Sequence, residues 1–253
     1  MMPPALLIPE LVKLAEEAGK VVMSYYSGEI AVEMKNDRSP VTAADGAAEK
    51  VILARLRELT PNIPIVAEES ASAGDLPDVS GKEFWLVDPV DGTKEFISKN
   101  GEFTINIALV SANQPILGVV YAPAVESMWW GAAGHGATKR DKDGVRAITV
   151  RERPSSGAVA VASRSHRDQA TNDWLEKNRI GETVAAGSSL KFCLVAEARA
   201  DVYPRFGPTM EWDVGAGHAV LSAAGGRMTD LDGRPFHYAK PDFRNTGFIA
   251  YGR

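Results

Sequence analysis

Apolar residues recur at helical spacing near the start of the chain. Leu11, Leu14, Ala15, Ala18, Val22 and Tyr25 share one helical face, and Gly28 suits the position just past the helix end. A second helix is predicted over 45–59, with Thr42 and Asp45 as a capping-box-like start and Pro61 after the stop. Short apolar runs at 63–67 and 84–87 read as strands, the first leading into Glu68-Glu69 and the second ending at Asp88. Runs at 103–110 and 116–121 form a predicted hairpin about residues 111–114, and short strands with glycine-rich turns fill 127–150. After Pro154-Ser155-Ser156-Gly157 the texture changes. A strand at 158–162, helices at 168–177 and 188–198, a brief strand at 202–203, a helix over 213–224 closed by Gly225-Gly226, and a strand at 247–251 complete the pattern.

Strands come in hairpins and runs, and helices flank them without strict alternation. This predicts an α+β fold of packed sheet and helix layers rather than a doubly wound parallel sheet. The shift near residue 153 divides an N-terminal half (1–153) from a C-terminal half (154–253) of one compact unit.

The composition narrows the function classes. With 253 residues, 45% hydrophobic and 24% charged, the chain buries a sizeable core. A net charge of -5 without any Lys/Arg run argues against nucleic acid as a partner, but leaves room for a local basic pocket. The single cysteine, Cys193, excludes an intrachain disulfide and fits a reducing compartment. The N-terminal segment lacks a basic region and is broken by prolines, unlike a signal peptide, and no apolar run approaches the ~20 residues of a transmembrane helix. A cytoplasmic protein is expected. Peripheral contact with the inner membrane and assembly as a homodimer stay open.

Against this background, acids stand where strands stop. Glu68 follows one strand and Asp88 another, and Asp91 lies three residues further, across a Pro-containing turn. Carboxylates at strand ends can converge in a crevice, and clustered anionic oxygens need cations, magnesium being the hard ion that oxygen donors suit. Gly92-Thr93 adds a backbone able to approach a phosphate at a helix start. The alternative is plain: Asp-Pro-x-Asp-Gly is also an ordinary turn, Glu68-Glu69 an ordinary solvated loop, and Asp213 an ordinary helix cap. By the same logic Ser188 reads as an N-cap, Lys191 as a solvated charge, His166 as a loop residue and Cys193 as core.

Four stretches together resemble the inositol monophosphatase superfamily of lithium-sensitive magnesium phosphatases. They are Ser39 to Asp45, Glu68-Glu69-Ser70, Trp85 to Thr93, and Trp212 to Gly217 followed by Ala223 to Gly226. Within it, Asp91 to Ile97, Asn100 to Thr104, Gly187 to Glu197 and Tyr203 to Thr209 are most similar to 3'(2'),5'-bisphosphate nucleotidases. The resemblance implies a layered α-β-α-β-α sandwich and a small nucleotide bisphosphate as substrate, adenosine 3',5'-bisphosphate giving AMP. It implies that Glu68, Asp88, Asp91, Asp213 and the Val90 carbonyl hold two or three magnesium ions. Asp45, Thr93 and Glu68 are then the catalytic groups, Asp45 and Thr93 orienting the attacking water. Gly92 and Thr93 bind the scissile phosphate, and Ser188, Lys191, Arg205 and Asp213 contact the substrate. A glutamate that contacts inositol in inositol monophosphatases aligns with Phe206, which speaks against inositol phosphates. An inositol or broader sugar-phosphate phosphatase is the competing reading, and a catalytically silent binding protein a third.

Overall fold

The computed structural model describes residues 3–28, 32–34, 40–155, 157–163 and 168–253. His166, Ser39 and Ser156 lie outside them. In chain order, α1 (Ile8–Tyr26) is followed by the short strands β1 (Val32–Met34) and β2 (Pro40–Thr42), then α2 (Ala43–Leu59), β3 (Ile65–Ala67), α3 (Glu68–Ser72), β4 (Phe84–Asp91) and α4 (Thr93–Ile97). The strands β5 (Thr104–Ser111), β6 (Gln114–Ala122), β7 (Ser127–Ala132), β8 (Gly136–Asp141) and β9 (Gly144–Ile148) form a meander. The rest comprises β10 (Val159–Ser163), α5 (Gln169–Lys177), β11 (Glu182–Ala186), α6 (Leu190–Ala196), β12 (Val202–Arg205), β13 (Thr209–Met210), α7 (Glu211–Ala223), β14 (Arg227–Thr229), β15 (Arg244–Asn245) and β16 (Phe248–Tyr251).

Among the described residues, two large sheets organise these elements. The first has the order β3-β4-β5-β6-β7-β8-β9, antiparallel except for the β3–β4 pair. The second, β11-β10-β12-β16-β14, is mixed. Helices α1 and α2 pack together on one face of the first sheet, while α7 covers its other face and α6 bridges to the second sheet. Helix α5 packs on the outside of the second sheet, where Leu175 joins Ala160, Val202 and Ile249. The result is the layered α-β-α-β-α sandwich.

The residue pattern explains these layers. Leu11, Leu14, Ala15, Ala18 and Val22 are all fully buried on α1, as their spacing predicts. In β4, Trp85 and Val87 face the α1/α2 core while Phe84 and Leu86 face the α7 core. A strand covered on both faces therefore reads as a continuous apolar run. Helix α7 packs closely against the first sheet on one side and α6 on the other because glycines leave room for the approach. A Cβ on Gly118 of β6 would sit 2.5 Å from the Ala216 carbonyl oxygen, and one on Gly217 2.5 Å from the Phe192 ring.

Several boundaries differ from the sequence expectation. Strand β4 does not stop at Asp88 but continues to Asp91, with a register shift against β5 between those two residues. Pro89, which has no N–H to donate, lies within that shift. Helix α7 begins at Glu211, placing Asp213 in the first turn, and α6 begins at Leu190 rather than Ser188. Strand β11 has no counterpart in the predicted elements. Its sequence carries no alternation, and pairing with β10 defines it.

Candidate active site

Helix α2 starts with a reciprocal cap. The Asp45 carboxylate accepts the Thr42 backbone N–H at 2.9 Å and its hydroxyl at 2.7 Å, while the Thr42 hydroxyl oxygen accepts the Ala44 N–H at 3.3 Å. Asp213 repeats the arrangement, accepting the Met210 N–H at 2.7 Å through Oδ2. Both acids thus cap from the third helical position, not as N-cap residues. At the β4 end, Asp88 Oδ1 accepts the Val90 N–H at 3.0 Å, and Gly92 takes φ +91°, a left-handed conformation that turns the chain into α4. The Thr93 hydroxyl lies 3.5 Å from the Val90 carbonyl oxygen.

A pocket of about 300 Å³ opens at this point. Glu68, Asp91 and Asp213 form its acidic side, with Gly92 and Thr93 next to them. Lys94, Lys191 and Arg205 supply positive charge, and Phe192, Tyr203 and Pro208 an apolar wall. Ser188 also lines it. Asp88, Val90 and Asp45 do not; all three are about 1% exposed. Asp88 nonetheless comes within hydrogen-bonding reach of Glu68. Phe206 takes no part in the wall.

The electrostatics are those of crowded anions. Burial pushes the Asp88 carboxyl well above its usual range, and the charges of Glu68, Asp91 and Asp213 push it further. Asp213 rises from burial and from Asp91 and Glu68. Asp91 also rises from burial, but the Lys191 charge and hydrogen bonds from Ser189 and Asn106 oppose the rise. Among the described residues no three His, Cys, Asp or Glu side chains are already closed on one coordination point. The donor set still suits a hard divalent cation: all oxygen, anionic, and mutually repelling until a cation neutralises it.

Two supporting residues depart from their ordinary readings. Ser188 is no N-cap; it sits in a left-handed conformation (φ +46°) ahead of α6. Lys191 is buried rather than solvated, donating to the Ser188 carbonyl at 2.6 Å and the Ala186 carbonyl at 3.4 Å beside the Tyr203 ring. Burial lowers it to about 8, with Asp91 the main opposing influence. Cys193 is core, its thiol pushed up by burial.

Sequence reasoning missed Glu49, Asn106, Thr104, Ser189, Glu95 and Glu102. Glu95 lines the pocket directly, and Glu102 Oε2 accepts the Gly187 N–H at 2.9 Å. Its position in the Lys94-Glu95-Phe96 stretch was the one available signal for Glu95.

The family model described as "Inositol monophosphatase family" matches residues 6–250. The 3'(2'),5'-bisphosphate nucleotidase CysQ of Salmonella typhimurium is 45% identical over 245 residues, covering 96% of this chain and 98% of the relative. That of Buchnera aphidicola is 40% identical over 250 residues, covering 96% and 93%. Among solved structures, CysQ from Bacteroides thetaiotaomicron superposes with a TM-score of 0.82 at 37% identity, covering 95% of both chains. A Thermotoga maritima IMPase superposes with a TM-score of 0.79 at 27% identity, covering 96% and 91%. No described helix is long and apolar enough to cross a membrane.

Proposed function

The chain belongs to the inositol monophosphatase family, and on that premise we propose that it is a magnesium-dependent 3'(2'),5'-bisphosphate nucleotidase acting in the cytoplasm. Water displaces the 3'-oxygen of adenosine 3',5'-bisphosphate at phosphorus, a P–O bond forming as the P–O3' bond breaks, to release AMP and inorganic phosphate. The observation that carries this reading is the meeting of Glu68, Asp88, Asp91 and Asp213, drawn from α3, β4 and α7, beside a pocket rimmed by cations.

Those four carboxylates and the Val90 carbonyl would hold two or three magnesium ions. Bound magnesium lowers the pKa of an attacking water and neutralises charge on the phosphoryl oxygens. The chain's own groups do the rest. Gly92 opens the backbone for the scissile phosphate at the start of α4, and Thr93 offers a hydroxyl beside it. Asp45 and Thr93 are the pair assigned to orient the water, with Glu68 beside them. Support for the pair comes from packing: α4 lies against β2, whose last residue, Thr42, fixes Asp45. Ser188, Lys191, Arg205 and Asp213 are assigned to the substrate, with Arg205 reserved for its second phosphate.

Turnover of adenosine 3',5'-bisphosphate and of inositol 1-phosphate, compared with magnesium present, tests the proposal. The nucleotide is expected to have the higher kcat/KM. The reverse order would make the chain an inositol or sugar-phosphate phosphatase.

A further inference from the structure

The turn before α6 is fastened to the first sheet by a ladder of side chains. Gly187, Ser188 and Ser189 meet Glu102, Thr104 and Asn106 respectively. Glu102 Oε2 accepts the Gly187 N–H at 2.9 Å, the hydroxyls of Thr104 and Ser188 lie 2.7 Å apart, and Asn106 Nδ2 donates to Ser189 Oγ at 2.9 Å. The approach is too close for a side chain at Gly187, whose Cβ would stand 2.6 Å from the Glu102 carbonyl oxygen.

The last rung ends on the acidic site. Asn106 Oδ1 accepts the Thr104 hydroxyl at 3.1 Å, which fixes the amide so that Nδ2 points to Ser189 and to Asp91 Oδ2, 3.3 Å away. Ser189 Oγ stands 3.1 Å from Asp91 Oδ2 and 2.8 Å from the Asp213 carbonyl oxygen. Asn106 and Ser189 are both about 1% exposed. Asn106 Nδ2 donates to Asp91 Oδ2, and the single Ser189 hydroxyl hydrogen lies between that oxygen and the Asp213 carbonyl oxygen. Both residues thus face the same oxygen of Asp91, and Oδ1 is left without a protein hydrogen bond among the described residues. Ser189 also ties Asp91, on β4, to the backbone of Asp213, on α7.

We infer that Ser189 and Asn106 are positioning residues. They hold Asp91 Oδ2 and the start of α7 in register, so that Asp91 Oδ1 and the Asp213 side chain are presented together to the cation. Outer hydrogen bonds of this kind fix the orientation of ligating carboxylates, and their loss weakens metal binding about 10- to 100-fold. The inference rests on the metal-phosphatase reading proposed above.

The test is Ser189→Ala, with Asn106→Ala as an independent variant of the same junction. Magnesium binding to the substrate-free protein is measured by calorimetry, alongside the magnesium concentration giving half-maximal turnover and the Tm. Each variant is expected to bind magnesium about tenfold more weakly, and the double variant little more weakly than either single one, because both act through Asp91. A lowered Tm with unchanged magnesium affinity in both variants reduces the junction to a structural contact and overturns the inference. If Ser189→Ala does not fold, Asn106→Ala decides alone. A wild-type protein that binds no divalent ion overturns the phosphatase reading itself; wild-type binding with unaltered variants overturns only the positioning role.

Discussion

The Glu49 carboxylate of α2 accepts the backbone N–H of Ser70 through Oε1 at 2.9 Å, and the same oxygen takes the Ser70 hydroxyl at 2.7 Å. Its other oxygen accepts the Glu69 N–H at 2.8 Å. One buried acid thus closes the amino end of α3, the five-residue helix whose first residue is Glu68. Glu49→Ala leaves two amides uncapped and should cost about 2 kcal/mol, read by chemical denaturation. Because Glu68 loses its anchor, the magnesium concentration for half-maximal turnover should rise as well. Lost stability with an unmoved magnesium response would confine Glu49 to folding.

The carboxylate cluster makes a prediction about pH. Asp88, Asp91 and Asp213 hold their protons more tightly folded than unfolded. Their contribution to stability is therefore complete below the unfolded value of 3.8 and is lost as pH rises through the folded values. The metal-free protein should bear more of the anionic repulsion as pH rises through those folded values. Magnesium should then raise the Tm more at pH 8 than at pH 5.5, and chelation should abolish the difference. Asp88→Asn removes one of the repelling charges. It should raise the metal-free Tm by about 2–4 °C for each 1 kcal/mol of repulsion relieved, while cutting kcat at least about a hundredfold. A metal-free Tm below wild type would show that the Asp88 hydrogen bonds outweigh its repulsion.

Much of this site is written locally in the chain. Asp88 to Thr93 is a contiguous turn, Glu68 directly follows a strand, and the apolar face of α1 repeats with helical period, so each carries a nearby signal. The junction that orders them carries none. Ser189 meets Asn106 across 83 positions and Asp91 across 98, and Glu49 reaches Glu69 across 20. The sequence reads Ser188 as a cap, and it is Ser189 beside it that joins the first sheet to α7. Lys191 misleads in the same way: a lysine in a polar-looking turn predicts solvent, but the Ala186 and Ser188 carbonyls draw it inside. Short β11 is similarly set by its partner strand, not by its own pattern.

Lys191 should appear in the rate profile. Its ammonium, lowered to about 8 by burial, sits in the pocket facing Asp91. If its charge helps bind the substrate, kcat/KM should fall as pH rises through that value, because the folded protein loses the cation there. Lys191→Met should lower kcat/KM at pH 7 by about tenfold or more and remove that alkaline limb. A limb that persists unchanged in the variant belongs to a different group.

Arg205 tests the substrate itself. Its guanidinium is steadied at the pocket by the carbonyl oxygens of Gly207 and Pro208, each 3.3 Å from one of its nitrogens. Those contacts use Nε and Nη2 and leave Nη1 without a protein hydrogen bond among the described residues, available to a second phosphate. A phosphate held by arginine through charge-assisted hydrogen bonds is worth about 1.5–3 kcal/mol, roughly 10- to 150-fold in kcat/KM. Arg205→Ala should therefore cost about that factor with adenosine 3',5'-bisphosphate and much less with 3'-AMP, which lacks the 5'-phosphate. Lys should restore only part of the loss, since an ammonium cannot reproduce the planar fork. Equal losses on both substrates would move Arg205 to the scissile phosphate and leave recognition of the second phosphate to Lys94, the remaining cation lining the pocket besides Lys191.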